Sequence, residues 1–217
     1  MKKKLILMCV AGVLVMTAII GGTLAGFNTA AENPAVSNIS TKELGISLEG
    51  GSMPEAKGAL AVEKLHGNVP GSQEELVYYI RNNAEKGYTL YTRITIDKKW
   101  ANPELDPSKI HLYMGDVEDP VELTAGQTVN DWIIWYSDEE QVIMYYTKPM
   151  EPGDETTDLI DLVGFDADMN NEYTDSEVLL TFTADAVQTI AAEDAMPSEW
   201  GVYPVFGTDG IITSIAE

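Results

Sequence analysis

Cysteine is almost missing from this chain: the only one among 217 residues is Cys9, inside an apolar run near the start. Beyond that run a disulfide framework, a Cys-ligated metal and a thiol nucleophile are all excluded. Histidine is nearly as scarce, with His66 and His111 alone. Neither belongs to a His-Glu-x-x-His pair, which would set two zinc ligands on one helical face. No Gly-x-Ser-x-Gly elbow and no Walker-type phosphate loop is present. A Ser-His-Asp triad is recognised by geometry rather than spacing, and no residue here points to one. Basic residues are the third shortage: 13 Lys+Arg stand against 35 Asp+Glu, a net charge of −22. That balance removes the cationic footprint that nucleic acid needs and works against binding to anionic membrane surfaces. It favours solubility, cation binding and repulsion between copies.

What is present begins with Lys2-Lys3-Lys4, an apolar run from Leu5 to Ala25, and a small-residue exit. These are the parts of a secretory signal peptide, with cleavage expected between Ala25 and Gly26. An uncleaved anchor is the alternative, because about 20 apolar residues can span a bilayer. Gly21, Gly22 and Ala25 favour cleavage. Cys9 is not read as a lipoprotein acceptor, since Met8 precedes it where a small residue is wanted. The signal carries three of the basic residues and no acid, so the processed chain is three charges more acidic. The expected organisation is 1–25 signal peptide, 26–42 N-terminal arm and 43–217 a single β-sandwich domain. Contact with the membrane is expected only in passing, through the signal segment.

The hydrophobic content of 45% supports a packed core, so the acidic chain is not a disordered tail. Short alternating runs separated by turn residues predict an all-β fold. They cover residues 44–48, 59–65, 75–81, 88–96, 110–114, 131–136, 141–147, 157–165 and 177–186. In the run from Tyr88, the side chains of Leu90, Thr92, Ile94 and Ile96 share one face, opposite Tyr91, Arg93 and Thr95. Residues 131–136 and 141–147 predict a hairpin turning at Ser137-Asp138-Glu139-Glu140. Pro70-Gly71 and Pro152-Gly153 suit type II turns, and Gly87 suits a corner of positive φ. No helix of useful length is expected before Asp185. One or two helical turns are expected near 188–196, stopped by Pro197. The architecture implied is a jelly-roll-like antiparallel β-sandwich.

One constellation of oxygen ligands stands out. Asp166, Asp168, Asn170, Glu172 and Glu177 fall at positions 1, 3, 5, 7 and 12 of a loop, the spacing of a calcium site. Against it, Asn171 holds the position where glycine makes the sharp turn, and the flanks read as strands instead of helices. A solvated acidic hairpin loop is the favoured reading, and no cofactor is otherwise expected. Tyr78, Tyr79, Tyr88, Tyr91, Tyr136, Tyr145 and Tyr146 could form a platform for stacking sugars. Aromatic residues in strands more often pack across the sheet, which is the reading preferred here.

Several stretches, taken in order, resemble the TasA/camelysin family of exported Gram-positive proteins. Gly21-Gly22-Thr23-Leu24-Ala25-Gly26-Phe27-Asn28 resembles its processing region, with Leu24 where an aromatic is usual. Val69-Pro70-Gly71-Ser72 leading into Val77-Tyr78-Tyr79-Ile80-Arg81-Asn82 is similar to a family turn and strand. So are Tyr145-Tyr146, Pro152-Gly153, the stretch Thr181 to Gln188, and Trp200-Gly201. Lys42-Glu43-Leu44 departs from the family's Ala-Gly-Thr-Leu. The resemblance implies a secreted jelly-roll protein of the cell surface or biofilm matrix, cut by a SipW-type signal peptidase and often fibre-forming. Its partners would be other copies or other matrix proteins. Camelysin-like relatives have been classed as metallopeptidases, and this chain has no ligand pair to support that. A calcium- or glycan-binding surface module is the remaining alternative. Freed by cleavage, the arm from Gly26 to Ile39 could add as a strand to the open sheet edge of a neighbouring copy.

Overall fold

The computed structural model describes residues 45–51, 59–84, 87–116 and 118–216. The signal peptide, its cleavage between Ala25 and Gly26, and the arm of 26–42 lie outside the described residues.

Two antiparallel sheets carry the fold. The first runs in the order β1 (Ile46–Gly50), β3 (Gln73–Asn82), β10 (Ile160–Phe165), β5 (Ile110–Met114) and β6 (Val121–Glu122). The second runs β2 (Leu60–Leu65), β11 (Val178–Gln188), β4 (Leu90–Trp100), β9 (Gln141–Tyr146), β8 (Trp132–Ser137) and β7 (Thr128–Val129). Set aside β1 at one end and β7 and β8 at the other. Numbered along the chain, the remaining eight strands then read 2-7-4-5 in the first sheet and 1-8-3-6 in the second. That order is two Greek keys wound into a jelly roll. The protein is an all-β sandwich, as its alternation implies.

The inward faces follow the period of two. Leu90, Thr92, Ile94 and Ile96 of β4 are buried, as are Val178, Leu180 and Phe182 of its neighbour β11 and Leu76, Tyr78 and Ile80 of β3 in the other sheet. Tyr78 stacks on Phe182 across the two sheets, with ring centroids 4.4 Å apart. Both Pro-Gly pairs form tight turns: Ser72 N donates to Val69 O at 3.0 Å and Asp154 N to Glu151 O at 3.0 Å. Gly71 and Gly153 supply the positive φ that each turn requires. The β8–β9 hairpin turns where expected, because Asp138 Oδ1 accepts from the backbone N–H groups of Glu140 and Gln141.

The C-terminal quarter departs from the expectation. After β11 the chain makes a short 3-10 turn, one turn of helix α2 (Ala192–Ala195) and a wide π turn from Met196 to Trp200. Pro197 does not stop the helix. It sits in the first turn of the π segment, where its missing N–H costs little. Gly201, at φ 70, ends the run. A hairpin then follows, β12 (Tyr203–Phe206) with β13 (Ile212–Ala216), which no run in the sequence announced. This segment closes a second apolar cluster on the outer face of the second sheet. There Tyr91, Tyr145 and Val187 pack with Ala192, Met196, Val202 and Ile212. Trp200 lies against Tyr145, and Arg93 sits over the Trp200 ring while pairing with Asp185 at 2.6 Å.

Candidate assembly edge

The strand β2 ends the second sheet, and among the described residues it pairs with β11 alone. Its sequence, Leu-Ala-Val-Glu-Lys-Leu, alternates in the way a one-sided strand must. Ala61 and Glu63 point inward. Leu60 and Val62 point outward and stay 62% and 39% exposed. An edge strand with apolar residues on its open face is a template for another strand, through both main-chain hydrogen bonds and cross-strand side-chain contact.

Glu63 is an unusual inward residue, only 2% exposed. It accepts a hydrogen bond from the Tyr78 hydroxyl at 2.5 Å, a tie from β2 to the opposite sheet. Burial, together with the Glu63 carboxylate, pushes the Tyr78 hydroxyl pKa well above its ordinary value, so the hydroxyl remains a donor. Gly51 completes this corner: at φ +64, a Cβ there would lie 2.3 Å from both the Glu63 carboxylate and the Tyr78 hydroxyl oxygen. The far end of β2 is pinned as well. Asn68 Nδ2 donates to Ser176 O at 2.7 Å, and Glu177 pairs with Lys64 at 3.0 Å and His66 at 3.2 Å. The strand is therefore tied to the opposite sheet through Glu63 and to the segment before β11 through Lys64 and Asn68.

The proposed calcium ligands are not gathered around one point. Asp166 and Asp168 share the ammonium of Lys109, at 3.3 and 2.6 Å. The Asp168 backbone N–H, and after it Lys109, hold the Asp166 carboxyl down to about 2. Asn170 caps helix α1 (Asn171–Thr174) by accepting from Glu172 N, so Asn171 opens a helical turn instead of making a left-handed corner. Glu177 faces Lys64 and His66. Among the described residues no three His, Cys, Asp or Glu side chains are set to hold a metal ion. His111 Nδ1 lies 2.7 Å from a Glu122 carboxylate oxygen, so each histidine contacts a carboxylate. The tyrosines do not make a sugar platform either. Tyr78, Tyr91, Tyr145 and Tyr146 are buried.

Two groups of residues carried no functional reading in the sequence: Leu60, Val62 and Glu63, read only as part of the strand 59–65, and the hairpin from Tyr203 to Ala216. The alternation in 60–65 was visible, but which strand lies at a sheet edge is a property of topology. No described helix is long and apolar enough to cross a membrane.

No family model and no curated protein matches the chain. One solved structure is similar over 60% of this chain and 69% of its own, at 14% identity and a TM-score of 0.20. It is described as "AvmM Catalyzes Macrocyclization in Alchivemycin A Biosynthesis". A likeness that slight carries no argument about this protein.

Proposed function

We propose that this chain is an exported structural protein of the cell surface or extracellular matrix, without a catalytic role, whose copies join by strand addition at β2. The observation that carries the reading is the β2 edge itself, paired with β11 alone among the described residues and showing Leu60 and Val62. The TasA/camelysin resemblance supports it and supplies the order of events. Export comes first, then a cut after Ala25 by a SipW-type peptidase, then release of the arm.

The arm suits the edge. Residues 26–39 hold a single charged side chain, Glu32, in a chain whose net charge is −22. They can approach an acidic neighbour with little of the repulsion that its other surfaces would meet. Phe27, Ala30, Val36 and Ile39 offer apolar partners for Leu60 and Val62. Cleavage would keep copies apart until they are outside the cell, because the arm is tied to the membrane-directed segment before it.

Deleting residues 27–39, which keeps the signal and the Ala25–Gly26 junction, tests this. Electron microscopy of the secreted wild-type protein is expected to show fibres, and the deletion is expected to abolish them. Unchanged fibres would overturn the proposal. Against the metallopeptidase reading, the secreted protein is expected to leave casein intact with or without chelator. Chelator-sensitive cleavage would contradict the structural role.

A further inference from the structure

We infer that the outward face of the β12–β13 hairpin is a second contact between copies of this chain, a twofold one. The inference rests on the reading of the protein as one that assembles, but uses a different surface. Register puts Tyr203 opposite Ala216 and Val205 opposite Ser214. Tyr203 and Val205 are 58% and 51% exposed, and Ser214 and Ala216 are exposed beside them. Pro204, Phe206 and Ile215 are partly covered, and Phe206 and Ile215 pack against the apolar cluster below. The hairpin therefore has one face committed to the sandwich and one apolar face turned outward.

Charge selects the occupant. From Trp200 to Ala216 the only charged residue is Asp209, in a chain of net charge −22. A basic partner would find almost nothing here to attract it and far more on the other surfaces. A second copy meets the reverse situation, because its surface carries mostly like charge, and a neutral strip lets two copies approach closely. Shape selects the symmetry. Each cross-strand row sets a large residue on β12 beside a small one on β13. When two such faces meet about a twofold axis, Tyr203 and Val205 of one copy cover Ser214 and Ala216 of the other, and the reverse. Pro204 withholds an N–H from β12, so the strand is poorly suited to edge addition, which leaves its face.

The test is sedimentation of the secreted chain across a range of concentrations, at low and high salt. Wild type is expected to form dimers that tighten as salt screens the surrounding carboxylates, since the Debye length falls from about 10 Å at 0.1 M to about 3 Å at 1 M. Val205→Glu is expected to weaken dimerisation by at least about tenfold, with its melting temperature unchanged. Tyr203→Ser provides a second variant that adds no charge and is expected to weaken it as well. Val62→Glu, at the β2 edge, is expected to leave these dimers intact while removing fibres. A chain that stays monomeric at high salt, or a dimer indifferent to both hairpin variants, would overturn the inference. Loss of the dimer through Val62→Glu alone would also overturn it, and would assign all association to the β2 edge.

Discussion

At the scale of single residues, the ion pairs around Asp166 show how local spacing misleads. Asp166, Asp168 and Glu177 fall in a calcium-like series, yet each is met by a lysine from elsewhere in the chain: Lys109 for the first two and Lys64 for the third. The sequence displays the acids side by side and hides their partners, which the sheet pairing brings in. The energetic consequence has a definite sign. Asp166 is held at about 2, below the ordinary 3.8. A carboxyl whose folded pKa is depressed adds stability above the unfolded value and loses it as pH falls through the folded one. The Asp166 contribution is thus expected to disappear between about pH 4 and pH 2. Lys109→Met should raise the Asp166 pKa part of the way toward 3.8, because the stronger hydrogen bond from the Asp168 backbone remains. Carbon-detected NMR titration of the carboxyl checks this, and a pKa still near 2 would contradict the assignment.

At the scale of elements, the strands were legible and their partners were not. Alternation located β1, β2, β3, β4, β5, β8, β9, β10 and β11 to within a few residues, because the period of two is imprinted on their side chains. Gly87, Gly71 and Gly153 likewise take the positive φ expected of them. The run read from Tyr88 stops at Ile96, but β4 continues to Trp100, whose indole N–H donates to Asp106 O. The short strands β6 and β7 hold two residues each, too few to show a period. The β12–β13 hairpin escaped for another reason. The strands are four and five residues long, and Tyr203, Val205 and Ala216 stand exposed where polar residues would mark the outer face, so the alternation is weak. Met196 tests the C-terminal element. It is fully buried between α2, the hairpin and the outer sheet face. Met196→Ala should cost about 2–5 kcal/mol of stability, measured by denaturant unfolding. A loss well below about 1 kcal/mol would mean that the segment is only loosely laid on the sheet.

At the scale of the whole molecule, charge and topology act against each other. The jelly roll leaves sheet ends at β1, β2, β6 and β7, and unpaired strand ends invite other chains. A net charge of −22 keeps copies apart and restrains indiscriminate pairing. In the assembly proposed, association is directed to the places where acidity gives way: the β2 edge with Leu60, Val62 and Lys64, and the neutral hairpin face. The near-neutral arm of 26–39 meets the same condition, which is why it is the segment proposed to bridge copies. The central claim is that β2 receives a strand when the protein assembles. Amide hydrogen exchange, read residue by residue in secreted fibres and in the dispersed protein, tests it most directly. The account predicts that the amides of residues 60–65 become strongly protected in fibres while those of β6 and β7 stay as they were. Fibres in which β2 exchanges as fast as in the dispersed protein would contradict it.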